Sequence, residues 1–207
     1  MMKKVFLAIA IGASLIGGSA AQAQPQIPQV KISGFAYGGS GCPSNSVGSL
    51  ISSDNQTLEL LFDKFQANLA KPQQPTQFPP QASCSVSVKL RLPQGFTASF
   101  YRVEHRGYAN TKGGATGQLR ARYYIPGAGG FDANRNYIFK KNLERDYTIV
   151  HDNIATAWTQ CGLEVPLTVT TRIGLQGNPT GQNALTVDSQ SQKVQTTVYY
   201  RLKRCGT

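Results

Sequence analysis

Four stretches of the chain alternate apolar and polar residues with a period of two, and that period leaves little choice of architecture. In the first, Cys84, Val86, Val88, Leu90 and Leu92 share one side while Ser85, Ser87, Lys89 and Arg91 share the other. Successive side chains of an extended strand point to opposite faces, so the pattern describes a strand with one dry and one wet face. The second sets Ala115, Leu119, Ala121, Tyr123 and Ile125 inward against Gln118, Arg120 and Arg122. The third sets Leu167, Val169, Thr171 and Ile173 against Thr168, Thr170 and Arg172. The last sets Val194, Thr196, Val198, Tyr200 and Leu202 against Thr197, Tyr199, Arg201 and Lys203.

Further strands are expected at Val30 to Tyr37, Val47 to Ser52, Thr57 to Phe62, Phe96 to Tyr108, Tyr137 to Phe139, Tyr147 to Val150 and Ala184 to Val187. Ser53-Asp54-Asn55-Gln56 reads as a hairpin turn, and Asn110 to Gly114 as a second link between an antiparallel pair. Helical periodicity is missing, apart from one short turn allowed between Asn153 and Trp158. About ten strands in one domain predict an antiparallel β-sandwich, with a closed barrel as second choice. The proline-rich segment from Lys71 to Gln81 is expected as an exposed loop, because proline cannot serve a central strand.

The first residues have the layout of a secretory leader. Lys3 and Lys4 precede an apolar run from Val5 to Ile16, then small residues, then Ala21-Gln22-Ala23 as the cleavage triplet, with Ser19-Ala20-Ala21 as a second candidate. Residues 1–23 are therefore read as a signal peptide and 24–207 as a single all-β domain, with no transmembrane segment after cleavage. The expected location is secreted or periplasmic. There, Cys42, Cys84, Cys161 and Cys205 read as two disulfides rather than a zinc site, since no C-x-x-C pair occurs. Sequential pairing, Cys42 with Cys84 and Cys161 with Cys205, closes two local loops, each worth roughly 4 kcal/mol in the chain-entropy model.

Removing the leader takes the formal charge from +11 to +9, which favours anionic partners without choosing among lipopolysaccharide, acidic glycan, nucleic acid and phospholipid. No nucleic-acid motif is present, and no cofactor is called for. Lys89, Arg91, Arg120, Arg122, Arg172, Arg201 and Lys203 all fall on the wet sides of the four clear strands, with Tyr199 and Tyr124 nearby. Neighbouring strands among these would present a cationic plate able to hold phosphate- or carboxylate-bearing polymers.

Catalytic templates fit poorly. A hydrolytic nucleophile needs a histidine oriented by a carboxylate, and the mature chain has two histidines. His105 lies between Glu104 and Arg106, and His151 precedes Asp152, but neighbours on a strand point to opposite faces. Gly39-Ser40-Gly41 is followed by Cys42 where a nucleophile elbow needs glycine. The glycine-rich pieces Gly113 to Gly117 and Gly127 to Gly130 lack the strand-to-helix context of a phosphate loop and read as turns.

Several motifs together carry a family likeness. They are Gly39-Ser40-Gly41-Cys42-Pro43, Leu58 to Asp63, Cys84 to Val88, Pro93-Gln94-Gly95-Phe96, Arg106-Gly107-Tyr108-Ala109, Tyr123-Tyr124, Trp158-Thr159-Gln160-Cys161-Gly162, Leu185 to Ser189 and Arg204-Cys205. In this order they resemble a family of small secreted four-cysteine proteins, domain of unknown function 4360, over nearly the whole mature chain. The resemblance implies secretion, disulfides and a β-rich fold, and it brings no activity or site residue. The expectation is a non-catalytic exported binding or envelope-associated module that takes an anionic envelope polymer or glycan on its basic face. The alternatives are a secreted hydrolase with a site around His105 or His151, and an inhibitor of a secreted enzyme that presents the proline-rich loop.

Overall fold

The computed structural model describes residues 29–126, 131–154, 157–162, 164–187 and 196–206. The expected leader, the Gly127 to Gly130 turn and Val194 lie outside them. The described residues form β1 (Lys31–Gly38), β2 (Val47–Ile51), β3 (Thr57–Phe62), β4 (Gln66–Leu69), β5 (Gln81–Arg91), β6 (Phe96–Asn110), β7 (Thr116–Ile125), β8 (Phe131–Phe139), β9 (Glu144–Asp152), β10 (Glu164–Gln176), β11 (Asn183–Thr186) and β12 (Thr196–Arg204). All pairs are antiparallel. One sheet runs β1-β5-β10-β7-β8, the other β2-β3-β12-β6-β11-β4, with β9 on β6. The sheets stay separate, so the architecture is the expected sandwich and not the barrel.

Alternation does what the sequence requires. Val86, Val88 and Leu90 of β5, Leu119 and Ile125 of β7, and Leu167, Val169 and Ile173 of β10 are buried, while Lys89, Arg120, Arg122 and Arg172 are exposed. The two inner faces join in one continuous apolar core that also takes Leu58 and Leu60 of β3, Phe100 and Val103 of β6, and Val198 of β12. Burying such side chains contributes about 1.5–3 kcal/mol each against an exposed reference.

Both expected disulfides are present, Cys42 to Cys84 and Cys161 to Cys205. The first depends on a tight approach at Gly39, whose φ is 144° and where a Cβ would lie 2.1 Å from the Ser83 carbonyl oxygen. Only glycine lets the Gly39-to-Cys42 turn close on β5 in this way.

Two expectations need correction. Asn110 to Gly114 does not close a hairpin, since β6 and β7 belong to different sheets. The buried side chains flanking it, Ala109 and Ala115, enter the core from opposite sides, so the link must carry the chain across the sandwich. Thr111 anchors this crossover: its hydroxyl donates to the Lys140 carbonyl at 2.7 Å and accepts from the Leu143 amide at 2.9 Å. The other is β4, which is not among the strands expected from sequence. It has four residues, too few to display a period, and pairs with the equally short β11.

Candidate functional site

The seven cationic candidates separate into two groups. Lys89 and Arg91 on β5, Arg172 on β10, and Arg120 and Arg122 on β7 share the outer face of the five-stranded sheet. Arg201 and Lys203 belong to β12 and the other sheet, so the seven do not make one plate. Alternation identifies the wet side of a strand but not the sheet that receives it.

On the five-stranded sheet the register places Arg172 directly opposite Arg120, with Thr170 opposite Arg122 beside them. Neither Arg120 nor Arg172 makes an ion pair among the described residues, in contrast to Arg91, whose guanidinium donates to Glu164 at 2.9 Å. That arginine holds the Glu164 carboxyl below its usual range. Two like charges directly opposed across strands are destabilising. Two open depressions adjoin the pair, of about 500 Å³ and about 200 Å³, and Arg120 and Arg172 line both. Amides complete the floor: Asn134 and Asn136 on one side, Gln81 and Gln118 on the other. The Gln118 amide donates to the Asn136 side-chain oxygen at 2.8 Å, which ties β7 to β8 across the floor. Period two alone sets Gln118 beside Arg120 on the wet side of β7, whereas sequence reading missed Gln81, Asn134 and Asn136, whose place beside the arginines follows from the β10–β5 and β7–β8 pairings.

Toward one end, Ser85 pairs with Thr170 at 2.9 Å and Ser87 with Thr168 at 3.0 Å through their hydroxyls, and Tyr124 stands 40% exposed on β7. The face therefore offers guanidinium groups, amides and hydroxyls around an open basin, with one aromatic ring. Guanidinium forks match carboxylate, sulfate or phosphate oxygens, and amides match hydroxyls.

The histidines occupy the opposite environment. His105 of β6 and His151 of β9 are buried in the core on either side of the Tyr123 hydroxyl, which lies 2.6 Å from His105 Nε2 and 2.6 Å from His151 Nδ1. The Thr196 hydroxyl is 3.0 Å from His105 Nδ1 and completes the chain. A phenol carries one proton, so it donates to one ring and accepts from the other, an arrangement that two neutral imidazoles accommodate. Burial, reinforced by His151, pushes His105 down to about 3; burial and the Arg135 charge push His151 down to about 4. Burial raises the Tyr123 phenol.

Among the described residues no carboxylate hydrogen-bonds to these rings. The adjoining carboxylates face the other way: Asp152 accepts from Arg102 at 2.7 Å, and Glu104 pairs with Arg106 at 3.2 Å on the outer surface. His105 has no exposed surface with which to meet a substrate. What the cluster does is bridge the sheets, joining β6, β9 and β12 to β7.

Residues 28–205 match the family model described as Domain of unknown function (DUF4360). The chain belongs to this family. Another protein that it resembles, an uncharacterized secreted protein of Arthroderma benhamiae, is 31% identical over 195 residues, spanning 91% of this chain and 76% of the relative. With this secreted relative and two disulfides, the DUF4360 chain is an exported protein. Among solved structures it is similar to TmCBM61 in complex with β-1,4-galactotriose, at 14% identity and a TM-score of 0.32, over 83% of this chain and 89% of that one. It is also similar to the mannan-recognising carbohydrate-binding module TmCBM27, at 13% identity and a TM-score of 0.32, over 84% of this chain and 98% of that one.

Proposed function

We propose that this DUF4360 protein is a non-catalytic exported module that holds an acidic glycan on the outer face of its five-stranded sheet. The observation that carries the reading is the exposed Arg120–Arg172 pair, opposed across β7 and β10 with no carboxylate partner among the described residues. An anion between the two guanidinium groups relieves their repulsion and accepts from both forks at once. The amides of Gln81, Gln118, Asn134 and Asn136 surround that position and supply donors and acceptors for sugar hydroxyls. The chemistry suits a polymer whose acid groups alternate with hydroxyl-rich surface.

Binding to heparin and to lipopolysaccharide, followed at low and high salt, tests the reading. Each charge-assisted hydrogen bond is worth roughly 1.5–3 kcal/mol, so Arg120→Glu with Arg172→Glu is expected to weaken binding about a hundredfold or more. The same pair of changes is expected to flatten the salt dependence. Arg91→Gln removes a cation already committed to Glu164 and is expected to change affinity little. Unchanged affinity in the double variant, with its fold intact, would overturn the proposal.

A further inference from the structure

The outer face of the seven-stranded sheet carries a different arrangement. Lys203 Nζ lies 4.7 Å from the Trp158 ring centroid, the Arg201 guanidinium 5.1 Å from that of Tyr101, and the Arg102 guanidinium 5.9 Å from that of Tyr199. The Tyr101 and Tyr199 rings are themselves 6.2 Å apart. Contacts of this type occur roughly once per 70–80 residues, so their number is ordinary for a chain of this length. Their concentration in one patch is not.

Two local devices build the patch. The β6–β12 register passes from Arg102 opposite Tyr199 to Phe100 opposite Tyr200, which leaves Tyr101 as the extra residue of a β-bulge. The bulge brings Tyr101 and Arg102, neighbours in sequence, to the same wet face, the re-aiming of side chains for which bulges recur beside functional sites. Trp158, the one tryptophan of the chain, sits half-buried on a segment clamped along the start of β6. The Thr159 amide donates to the Ala98 carbonyl at 2.9 Å, the Ala98 amide to the Thr159 hydroxyl at 3.0 Å, and the Gly162 amide to the Phe96 carbonyl at 2.8 Å. The Cys161–Cys205 bridge fixes the same segment to the end of β12. A large indole that could have joined the core is instead held rigidly at the surface.

Charge is distributed unevenly over the patch. Asp152 and Glu104 engage Arg102, and Glu104 also engages Arg106. Arg201, toward the Trp158 end, makes no ion pair among the described residues. From this we infer that the face formed by Trp158, Tyr101, Tyr199, Arg201 and Lys203 is a second binding surface, for an oligosaccharide containing acidic sugars. Pyranose C–H faces lie against the rings, and carboxylates meet Arg201 and Lys203. A single-stranded nucleic acid also stacks on aromatic rings beside cations, but it brings a phosphate at every step, and Glu104 and Asp152 repel such a backbone at the Tyr199 end of the patch. The inference stands independently of the five-stranded face, on the other side of the sandwich.

Trp158 is its own reporter. In the Arg120→Glu, Arg172→Glu background, with the first face disabled, titration with oligogalacturonate is expected to give a saturable change in tryptophan emission. Tyr101→Ala and Arg201→Gln are each expected to weaken that binding about tenfold. Arg201, whose side chain is exposed, keeps the test valid if Tyr101→Ala fails to fold. A neutral galacto-oligosaccharide and a single-stranded oligonucleotide are expected to bind more weakly than the uronate. No saturable emission change with oligogalacturonate overturns the proposal, as does a neutral sugar or an oligonucleotide that binds as tightly.

Discussion

Strand β7 shows one sequence meeting two environments residue by residue. Outward, Arg120 and Arg122 stand in water beside Arg172; inward, Leu119, Ala121 and Tyr123 line the core. Arg120 lacks an ion-pair partner among the described residues and its charge is kept by solvent, which is the state the proposed ligand would meet. The Tyr123 hydroxyl has no water to turn to and is held between two histidines. Polar groups left without a protein partner at a surface are candidates for binding, whereas polar groups fully partnered inside specify how the sheets meet.

The sharpest way to break that division is to exchange the inner group and read both properties. Tyr123→Phe keeps the ring but removes the hydroxyl, leaving His105 Nε2 and His151 Nδ1 without their partner in the core. Each buried polar group left unsatisfied costs about 1–3 kcal/mol, so urea denaturation is expected to show a loss of about 2–6 kcal/mol. Heparin affinity is expected to match wild type. A variant with unchanged stability and weakened binding would mean that the core cluster serves the surface, and the division would be wrong.

The second effect depends on pH. Unfolded histidine titrates near 6.5, while burial holds His105 at about 3 and His151 at about 4 in the folded chain. Between about pH 4 and 6.5 the unfolded chain therefore binds more protons, and acid draws the equilibrium toward it. Above 6.5 the histidines contribute no pH dependence. Below it, each withdraws about 1.4 kcal/mol of stability per pH unit, continuing toward its folded value. Glu144 and Glu164, held low by Lys112 and Arg91, begin to lose their ion pairs only below about 4.5, so the interval from 4.5 to 6.5 reports the histidines. Stability that stays flat from pH 7.5 to 4.5 would show that the two rings are not shielded as the structure places them.

How much of this could be read from sequence follows the range of the interactions. Period two placed Val86, Leu119 and Val169 inside and Arg120 and Arg172 outside, because it is a local consequence of strand geometry. The same rule set Glu104 and Asp152 on the opposite face from His105 and His151, which weighed against a histidine–carboxylate site. It could not show that Arg120 and Arg172 oppose each other, since their positions are far apart in the chain and meet through a register. Thr196 and His105 are separated by 91 residues, and Tyr123 meets them from the other sheet. Tyr101 was hidden for another reason: a bulge breaks the very period used to find strands.

A matched tyrosine sharpens the rule at the smallest scale. Tyr200 of β12 is buried like Tyr123, yet its hydroxyl has no hydrogen-bond partner among the described residues. Its ring packs 6.1 Å from that of Phe100, which supplies reason enough for an aromatic residue there. Folding strips the hydroxyl of water without a compensating bond, a penalty that Tyr200→Phe removes while keeping the ring contact. The change is therefore expected to leave stability unaltered or to raise it by about 1 kcal/mol. Its sign is opposite to that of Tyr123→Phe, although both substitutions delete one oxygen from the same core. Thermal or urea denaturation of the two variants side by side decides the matter. A loss at Tyr200 comparable to that at Tyr123 would mean that burial of the hydroxyl, rather than its hydrogen bonding, sets the cost.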